Sequence, residues 1–295
     1  MAGRQSCAGN YIKVFVFALA AFVSTSVCAQ KTTMLNAFAH NDYFHKRPLY
    51  DALDNGFTNL EADIFLRNGK LVVAHILPMV DNKGTLEDLY LKPLLASVNG
   101  SSNLAARPLG PVTLMIDIKS NAEKTYQALN ILLNKYSSII SGYENGKIVQ
   151  RPVTVVITGN KPFKIIKEQK SRLAFIDEDL TKTYKDTLST NVYQTASCKY
   201  SKMLKWNGKG SLPLKQRQHL SAYVKMAHKY GKKVRLWASP ENENVWRELL
   251  SCGVDLINTD QLPRLRNFLL ARADAYAAMT DLNEQSITLD GVDFP

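Results

Sequence analysis

Residues capable of acid–base and metal chemistry lie within or directly after short apolar runs of this sequence. His40 and His75 each end such a run, and Glu61 and Asp63 form a Glu-x-Asp pair inside another. Because side chains alternate along a strand, both carboxylates of that pair share one face. Buried carboxylates that lie close together repel one another unless a cation lies among them. The pattern therefore indicates two proton carriers beside a cation site.

A third carboxylate, Asp117, ends a further apolar run together with Lys119, again on one strand face. Three hard oxygen ligands with room for water suit Mg²⁺ or Ca²⁺ better than zinc. Each residue type also has a structural interpretation, because strand-end histidines are more often structural than catalytic and Asp117 could cap a helix that begins near Asn121. The coincidence of all six residues at the ends of neighbouring predicted strands favours a functional site.

Short apolar or β-branched runs alternate with longer segments of helical periodicity along the chain. The predicted strands are Leu35–His40, Thr58–Ile64, Leu71–His75, Val112–Ile118, Val153–Thr158, Leu173–Ile176, Val192–Thr195, Lys233–Ala238 and Val254–Asn258. The predicted helices are Pro48–Asn55, Leu86–Val98, Asn121–Lys135, Pro162–Gln169, Pro213–Tyr230, Glu243–Ser251 and Leu262–Arg272. This alternation predicts an α/β fold of parallel strands joined by right-handed crossovers. Eight of the strands close a single (β/α)8 TIM barrel, with Leu71–His75 as a small extra hairpin strand after the second strand.

Composition and charge narrow the class of protein. The 295 residues are 45% hydrophobic and 21% charged, which excludes a mainly disordered chain. No Gly-rich phosphate loop opens the first helix, which argues against a nucleotide-binding doubly wound sheet. Lys and Arg exceed Asp and Glu by 37 − 26 = 11, and this basic balance fits an anionic partner such as a phosphate, a lipid surface or nucleic acid without selecting among them. No nucleic-acid partner is expected, because the sequence offers no recognition helix or stacking platform.

The N-terminus has the organisation of a secretory signal. An uncharged apolar run, Val14–Val23, follows a basic start, and Val27-Cys28-Ala29 provides a small-x-small cleavage site. Cleavage after Ala29 predicts a signal over residues 1–29, a barrel domain over 30–280 and a C-terminal tail over 281–295. The mature protein is then expected to be secreted or periplasmic and monomeric. An uncleaved N-terminal anchor and lipoprotein processing at Cys28 are the alternatives.

Two further features bear on partners and cross-links. After signal cleavage Cys198 and Cys252 remain, so no disulfide framework is expected, and the two either pair or form separate buried thiols. A basic loop surrounds Trp206; it contains Lys199, Lys202, Lys205 and Lys209. This loop predicts peripheral contact with an anionic lipid surface, with Trp206 inserting at the interface. A run of merely solvated charges is the alternative.

Ordered motifs across the chain resemble those of a known superfamily. They are His40-Asn41-Asp42, Gly56-Phe57-Thr58-Asn59-Leu60-Glu61-Ala62-Asp63 and Leu71-Val72-Val73-Ala74-His75, followed by the segments 227–237 and 252–260. In this order they resemble the glycerophosphodiester phosphodiesterase and PI-PLC-like phosphodiesterase superfamily, the last two matching its seventh-strand and eighth-strand regions. The resemblance covers residues 35–272 and implies a TIM barrel that cleaves phosphodiesters.

The resemblance implies a role for each matching residue. The two catalytic histidines of the superfamily fall on His40 and His75, and its metal carboxylates fall on Glu61, Asp63 and Asp117. One divalent cation, Mg²⁺ or Ca²⁺, is therefore implied. The implied substrate contacts are the phosphate-contacting lysine at Lys119, a pocket aromatic at Trp237, and Asn41, which follows the first histidine.

Departures from the superfamily pattern concern the substrate. Glycerophosphodiesterases usually carry Arg at the position of Asn41 and Glu at that of Asp117, and the interval between His75 and Asp117 is short for their glycerol-recognising insertion. These features look more like the sphingomyelinase D-type toxins of the superfamily. The His-Asn-Asp start and Tyr90–Leu94 resemble a less characterised bacterial and fungal branch. The resemblance thus implies phosphodiester chemistry and leaves glycerol specificity open.

We therefore expect a metal-dependent phosphodiesterase that acts on a glycerophosphodiester or a phospholipid headgroup by His/His acid–base catalysis. A catalytically silent barrel that binds a phosphorylated lipid or glycan is the first alternative, although a binding module does not need two histidines beside a metal. A carbohydrate enzyme that uses Glu61 and Asp63 is the second, although two acids so close on one strand do not easily flank a glycosidic bond.

Overall fold

A computed structural model describes residues 33–76, 84–101, 108, 110–184 and 191–289, of which 276–289 are described by their backbone alone. The predicted signal over residues 1–29 lies outside the described residues, so export stays a prediction. Among the described residues, no helix has the length and hydrophobicity needed to span a bilayer.

Eight parallel strands form a closed barrel. They are β1 (Ala37–Ala39), β2 (Asn59–Arg67), β4 (Val112–Ile118), β7 (Val153–Gly159), β8 (Phe175–Asp179), β9 (Tyr193–Lys199), β10 (Lys233–Trp237) and β11 (Leu256–Thr259). The barrel closes because β1 pairs in parallel with both β11 and β2. This closure confirms the (β/α)8 prediction, and each predicted barrel strand has its counterpart.

Helices connect the strands in the order that the periodicity predicts. They are α1 (Tyr50–Asp54), α2 (Lys92–Val98), α3 (Ala122–Asn134), α4 (Phe163–Glu168), α5 (Tyr200–Met203), α6 (Leu214–Lys229), α7 (Glu243–Ser251) and α8 (Leu262–Leu289). A π-helical turn, Glu87–Leu91, leads into α2, and short 3₁₀ turns cover Asp42–Phe44 and Leu180–Lys182. Helix α8 runs well beyond the predicted end at Arg272, because the alanine-rich stretch that follows contains no Gly or Pro to stop it.

Two hairpins accompany the barrel. The predicted one is formed by β3 (Lys70–Val73), which pairs antiparallel with β2 and returns the chain toward the barrel mouth. The second joins β5 (Gly142–Glu144) to β6 (Lys147–Val149) and was not predicted. Its turn residues, Asn145 and Gly146, both have positive φ, at 50° and 81°, and this dipeptide is the signal for a type I′ hairpin turn.

The barrel interior is apolar at its base and polar above. Four fully buried side chains, Phe38, Met115, Val156 and Leu256, form a cluster separate from the main core between strands and helices. In the strand register Glu61 lies beside Met115, so the inward-facing carboxylates of β2 stand on this apolar base. The polar end is therefore the C-terminal end of the strands, where barrel active sites lie.

The two cysteines of the barrel remain free. Cys198 and Cys252 are both buried thiols. Burial raises the pKa of Cys198 to about 12, so it stays protonated at neutral pH. Of the two arrangements open from the sequence, the structure has separate buried thiols.

A buried ion pair links β8 to the residue that directly precedes β10. The Lys232 ammonium, just before β10, lies 2.5 Å from Glu178 Oε2 on β8, and the two side chains are 0% and 5% exposed. The ammonium also lies 4.7 Å from the centroid of the Tyr193 ring. Removing one partner of a buried pair leaves the other charge without compensation, which costs more than the pair itself contributes.

We expect Lys232→Met to lower the free energy of unfolding by about 3 kcal/mol, because it removes the buried cation that lies 2.5 Å from the Glu178 carboxylate. Urea denaturation measures the change. Adding Glu178→Gln to the same chain should recover part of the loss, whereas Lys229→Met at the exposed end of α6 should change little. Equal losses for the Lys232 and Lys229 variants would show that the buried pair has no such role.

Candidate active site

Three carboxylates converge at the mouth of the barrel. Glu61 and Asp63 come from β2, and Asp117 comes from β4, where the register places it directly beside Asp63. Each carboxylate offers one oxygen, and these oxygens all lie within 4.8 Å of one another. All three are buried or half-buried, so the strand-end carboxylates expected from the sequence form one cluster. We refer to these three residues as the carboxylate cluster.

Among the described residues, two oxygens of the carboxylate cluster have no hydrogen-bond partner. They are Glu61 Oε2 and Asp117 Oδ1, both buried. Burial raises the pKa of Asp117; the Lys119 ammonium opposes the rise, and the charges of Asp63 and Glu61 add to it. Unpaired buried oxygens within a repelling cluster are the arrangement that a hard divalent cation satisfies, so these residues fit such an ion.

Lys119 bridges two members of the cluster. Its ammonium donates to Asp117 Oδ2 at 2.7 Å and lies 3.1 Å from Asp63 Oδ2. Burial would lower the pKa of Lys119, but the bond to Asp117 and the charges of both carboxylates outweigh it and raise the pKa. The ammonium therefore stays charged, and its side chain is 27% exposed at the mouth.

His75 and a tyrosine that the sequence did not single out contact the same carboxylate. His75 Nδ1 lies 3.0 Å from Asp63 Oδ2, and the Tyr43 hydroxyl donates to that oxygen at 2.8 Å. The hydroxyl also lies 2.7 Å from Asn41 Oδ1 and 3.1 Å from His75 Nδ1. Burial and the Asp63 charge raise the pKa of Tyr43, so its hydroxyl stays a donor. Tyr43 thereby ties the first strand-end motif to the hairpin histidine.

His40 contacts Glu61 of the cluster and is held by Asp260, which directly follows the last strand. Its Nδ1 lies 2.8 Å from Asp260 Oδ1, and its Nε2 lies 3.7 Å from Glu61 Oε2. Burial lowers the pKa of His40, but the hydrogen bond to Asp260 and the charges of Glu61 and Asp260 outweigh it and raise the pKa. The Asn41 amide lies 2.9 Å from the same Nδ1, so Asn41 contacts both His40 and Tyr43.

Two further residues support the site from β10 and the loop that follows it. Arg235 is 3% exposed; its Nη1 lies 3.3 Å from Glu61 Oε1, and its guanidinium stacks 4.4 Å from the Phe38 ring centroid. Glu241 accepts hydrogen bonds from the Thr259 hydroxyl and the Asp260 amide, each at 2.8 Å. Arg235 thus contacts one oxygen of Glu61 and leaves the other available to a cation. Glu241 holds the backbone of Asp260, whose carboxylate contacts His40.

Sequence reasoning missed these supporting residues, although some signals were present. Arg235 is a charged residue inside an apolar strand at an inward-facing position, and Asp260 ends the eighth-strand motif. Trp237 ends β10 at the mouth, 39% exposed, with the Lys199 ammonium 5.8 Å from its ring centroid. The structure therefore gathers the other predicted site residues around the carboxylate cluster and places Trp237 on the rim.

The expectation for Trp206 is wrong. Its side chain is 8% exposed and its indole N–H donates to the Lys209 carbonyl at 2.8 Å, so it cannot insert into a membrane. The lysines of the loop stand outside, while the loop folds over the indole ring. A sequence pattern of alternating Lys and Trp does not distinguish a buried ring from an exposed one.

Gly159 is required for the position of Asp117. It follows the body of β7 with φ +69°, and a Cβ on it would lie 1.9 Å from Asp117 Oδ1 and 2.8 Å from the Ile118 carbonyl oxygen. A glycine alone admits both the left-handed backbone and the carboxylate at this distance. Asp117 Oδ1 can occupy its position because Gly159 has no side chain there.

We expect Gly159→Ala to displace the Asp117 carboxylate and weaken binding of a divalent cation at least tenfold, measured by calorimetric titration with Mg²⁺, Ca²⁺ or Mn²⁺. Gly146→Ala is the matched control, because Gly146 also has positive φ, +81°, but nothing lies within 4 Å of its Cβ position. Both variants carry similar backbone strain, so equal cation affinities would contradict the role given to Gly159.

The sequence of the chain matches two protein-family models and a set of fungal relatives. Residues 27–177 match the model of the AIM6-like phosphodiesterase domain, and residues 233–263 match that of the glycerophosphoryl diester phosphodiesterase family. The chain is 32% identical over 265 residues to altered inheritance of mitochondria protein 6 of Eremothecium gossypii, covering 78% of this chain and 68% of that protein. It is 30% identical over 270 residues to the Saccharomyces cerevisiae (strain S288c) protein of the same name, covering 76% and 68%.

One solved structure is also similar. The crystal structure of glycerophosphodiester phosphodiesterase from Agrobacterium tumefaciens str. C58 covers 81% of this chain and 100% of its own, at a TM-score of 0.45 and 13% identity. With the family match over more than half of the chain, the resemblance found in the motifs is confirmed. The chain belongs to the AIM6-like phosphodiesterase domain family, within the glycerophosphodiester phosphodiesterase and PI-PLC-like superfamily.

Proposed function

We propose that this chain is a metal-dependent phosphodiesterase that cleaves a glycerophosphodiester or a phospholipid headgroup with one bound Mg²⁺ or Ca²⁺. The observation that carries the proposal is the carboxylate cluster: within the described residues, two of its buried oxygens have no hydrogen-bond partner. The cluster also adjoins two histidines, each held by a carboxylate. Membership of a family described as phosphodiesterase-like supports the same class of reaction.

Glu61, Asp63 and Asp117 would hold the cation. When bound, it would stabilise the negative charge that grows on the phosphoryl oxygens. Lys119 adds a fixed positive charge at the same place, because its ammonium lies against both aspartates and is partly exposed to the mouth. Arg235 is fully buried behind Glu61, so it holds that ligand in place and does not reach the substrate.

The two histidines supply the acid and the base. Each binds a carboxylate through Nδ1, Asp260 for His40 and Asp63 for His75, which leaves Nε2 of each ring for the substrate. One ring takes the proton of the attacking hydroxyl as its oxygen bonds to phosphorus. The other gives a proton to the leaving alkoxide as its P–O bond breaks. The attacker is water or a neighbouring hydroxyl of the substrate, and the second gives a cyclic phosphate.

The carbohydrate alternative conflicts with how the two acids of β2 are held. Arg235 binds one oxygen of Glu61, whereas Lys119, Tyr43 and His75 surround Asp63. Both acids therefore lie in one cluster on one strand, and a general acid and base for glycoside hydrolysis flank the scissile bond from opposite sides. A catalytically silent barrel would bind a phosphodiester without turning it over.

We expect turnover of at least one member of a phosphodiester panel of glycerophosphocholine, lysophosphatidylcholine, sphingomyelin and phosphatidylinositol. Chelation should abolish it, and His40→Gln or His75→Gln should each lower kcat by about 100-fold to 10,000-fold, because each removes a proton carrier. His219→Gln, an exposed histidine on α6, is the matched control and should leave the rate unchanged.

The outcomes separate the alternatives. Turnover that survives chelation and both histidine substitutions would overturn the mechanism. Binding of a panel member without turnover, unaffected by either histidine substitution, would establish the silent barrel instead. A phosphorus NMR spectrum of the product distinguishes a cyclic phosphate from an open one.

A further inference from the structure

The two histidines of the candidate active site lie on different segments, yet a series of hydrogen bonds connects them. His40 directly follows β1, whereas His75 follows the hairpin strand β3. Two side chains lie between the rings, those of Asn41 and Tyr43, and both belong to the turn that follows β1. The connection therefore joins the first barrel strand to the hairpin.

The series runs from ring to ring with a donor facing an acceptor at each step. The Asp260 carboxylate keeps a proton on His40 Nδ1, because an unprotonated ring nitrogen 2.8 Å from its oxygen would repel it. The Asn41 amide nitrogen donates to the same Asp260 oxygen at 3.4 Å. Asn41 Oδ1 accepts from the Tyr43 hydroxyl at 2.7 Å, and the hydroxyl oxygen faces His75 Nδ1 at 3.1 Å. We call these five side chains the histidine link.

The Tyr43 hydroxyl is the branch point of the histidine link. Its proton faces two acceptors, Asn41 Oδ1 at 2.7 Å and Asp63 Oδ2 at 2.8 Å. His75 Nδ1 lies 3.0 Å from the same oxygen of Asp63. The Tyr43 side chain is buried, so water does not readily replace its contacts. Removing the hydroxyl would therefore break the connection between the histidines and leave the contact of His75 with Asp63.

The backbone of the turn holds the two connecting side chains. Asn41 has φ 48° and ψ 36°, the left-handed region that asparagine tolerates better than most residues, and its carbonyl accepts from the Phe44 amide at 2.8 Å. Asp42 is fully buried and accepts from the Leu49 amide at 2.6 Å and the Tyr90 hydroxyl at 2.9 Å. The turn is thus anchored by contacts that do not involve either histidine.

We propose that Asn41 and Tyr43 are positioning residues that hold the two histidines as one hydrogen-bonded unit. Because both Nδ1 atoms are engaged, both rings present Nε2 at the same time, as catalysis by one acid and one base requires. The inference rests on the proposed function for the reaction and adds the coupling between its acid and its base. In this role Asn41 acts on His40, whereas the resemblance implies a substrate contact.

Steady-state kinetics test the coupling with a soluble phosphodiester, glycerophosphocholine, at saturating cation. Tyr43→Phe and Asn41→Gly should each lower kcat about tenfold and leave KM unchanged, because each loosens a ring without removing a substrate contact. Glycine at position 41 keeps the left-handed backbone without steric cost. The double variant should also lose about tenfold, because either change breaks the same link. A loss of about 100-fold in the double variant would show independent action and overturn the proposal.

Matched controls separate the histidine link from a general effect on structure. Tyr126→Phe removes another buried tyrosine hydroxyl, which donates to Gln169 at 2.7 Å between α3 and the end of α4. Asn145→Gly changes another asparagine with positive φ, 50°, in the turn between β5 and β6. Both variants should keep the kcat of the unsubstituted chain. Losses equal to those of the Tyr43 and Asn41 variants would contradict a role specific to the link.

Cation affinity distinguishes the histidine link from an effect on the metal site. The Tyr43 hydroxyl also contacts Asp63, so Tyr43→Phe is titrated calorimetrically with Mg²⁺, Ca²⁺ and Mn²⁺. We expect the affinity to stay unchanged while kcat falls. A loss of affinity as large as the loss of kcat would show that Tyr43 acts through the cation and would overturn the proposal.

Nitrogen NMR tests the link without turnover. The full chain is labelled with ¹⁵N-histidine, and the ring signals of His40 and His75 are assigned from their glutamine variants. At a pH at which both rings are neutral, each should carry its proton on Nδ1. Asn41→Gly should change the His75 signals, and Tyr43→Phe should change those of His40, whereas Tyr126→Phe should change neither. Effects confined to the nearer ring in each variant would overturn the coupling.

The two kinds of measurement keep this inference apart from the proposed function. Coupled ring signals in a chain that turns over no phosphodiester would support the histidine link and contradict the phosphodiesterase. Turnover that requires both histidines, together with independent ring signals, would support the phosphodiesterase and overturn the link.

Discussion

Mutual repulsion among three carboxylates, two buried and one half-buried, is the constraint on which the arrangement of this barrel mouth depends. Their oxygens lie within 4.8 Å of one another, and the residues in contact with them either carry positive charge or donate a hydrogen bond. Lys119 bridges Asp63 and Asp117, Arg235 holds Glu61 from behind, and the Tyr43 hydroxyl donates to Asp63. In the described part of the chain these contacts leave two buried oxygens unsatisfied, Glu61 Oε2 and Asp117 Oδ1, and a divalent cation would complete the balance of charge.

Another buried carboxylate in the same barrel has its hydrogen bonds satisfied in a way that the carboxylate cluster does not. Asp177 on β8 receives hydrogen bonds from three hydroxyls, those of Thr158, Thr195 and Ser197. Those donors satisfy a buried negative charge without a metal. In the carboxylate cluster, by contrast, one oxygen each of Glu61 and Asp117 receives no hydrogen bond from any residue that the structure describes. The hydrogen bonds around Asp177 suit a structural carboxylate, whereas the unsatisfied oxygens of the carboxylate cluster suit a bound ion.

Much of this arrangement could be predicted because it depends on the local spacing of apolar residues along the chain. Alternation of apolar runs predicted the eight strands, and inward-facing positions on β2 and β4 carried the carboxylates where the pattern placed them. Predictions failed where the outcome depended on packing. Trp206 is buried under its own loop, and α8 runs on to Leu289 because nothing in its sequence ends it. Local pattern specifies which residues share a face, not what covers that face.

The sequence by itself determined the barrel class, the strand-end positions of the acid, base and lysine side chains, and the superfamily. The tertiary structure alone decided their partners. His40 meets Asp260, 220 residues away, because β1 closes the barrel against β11, and Glu61 meets Arg235, 174 residues away, across the barrel interior. Periodicity encodes only the direction of a side chain relative to its own strand. Which distant side chain it meets depends on the register and closure of the sheet, and these are set by the packing of the whole chain.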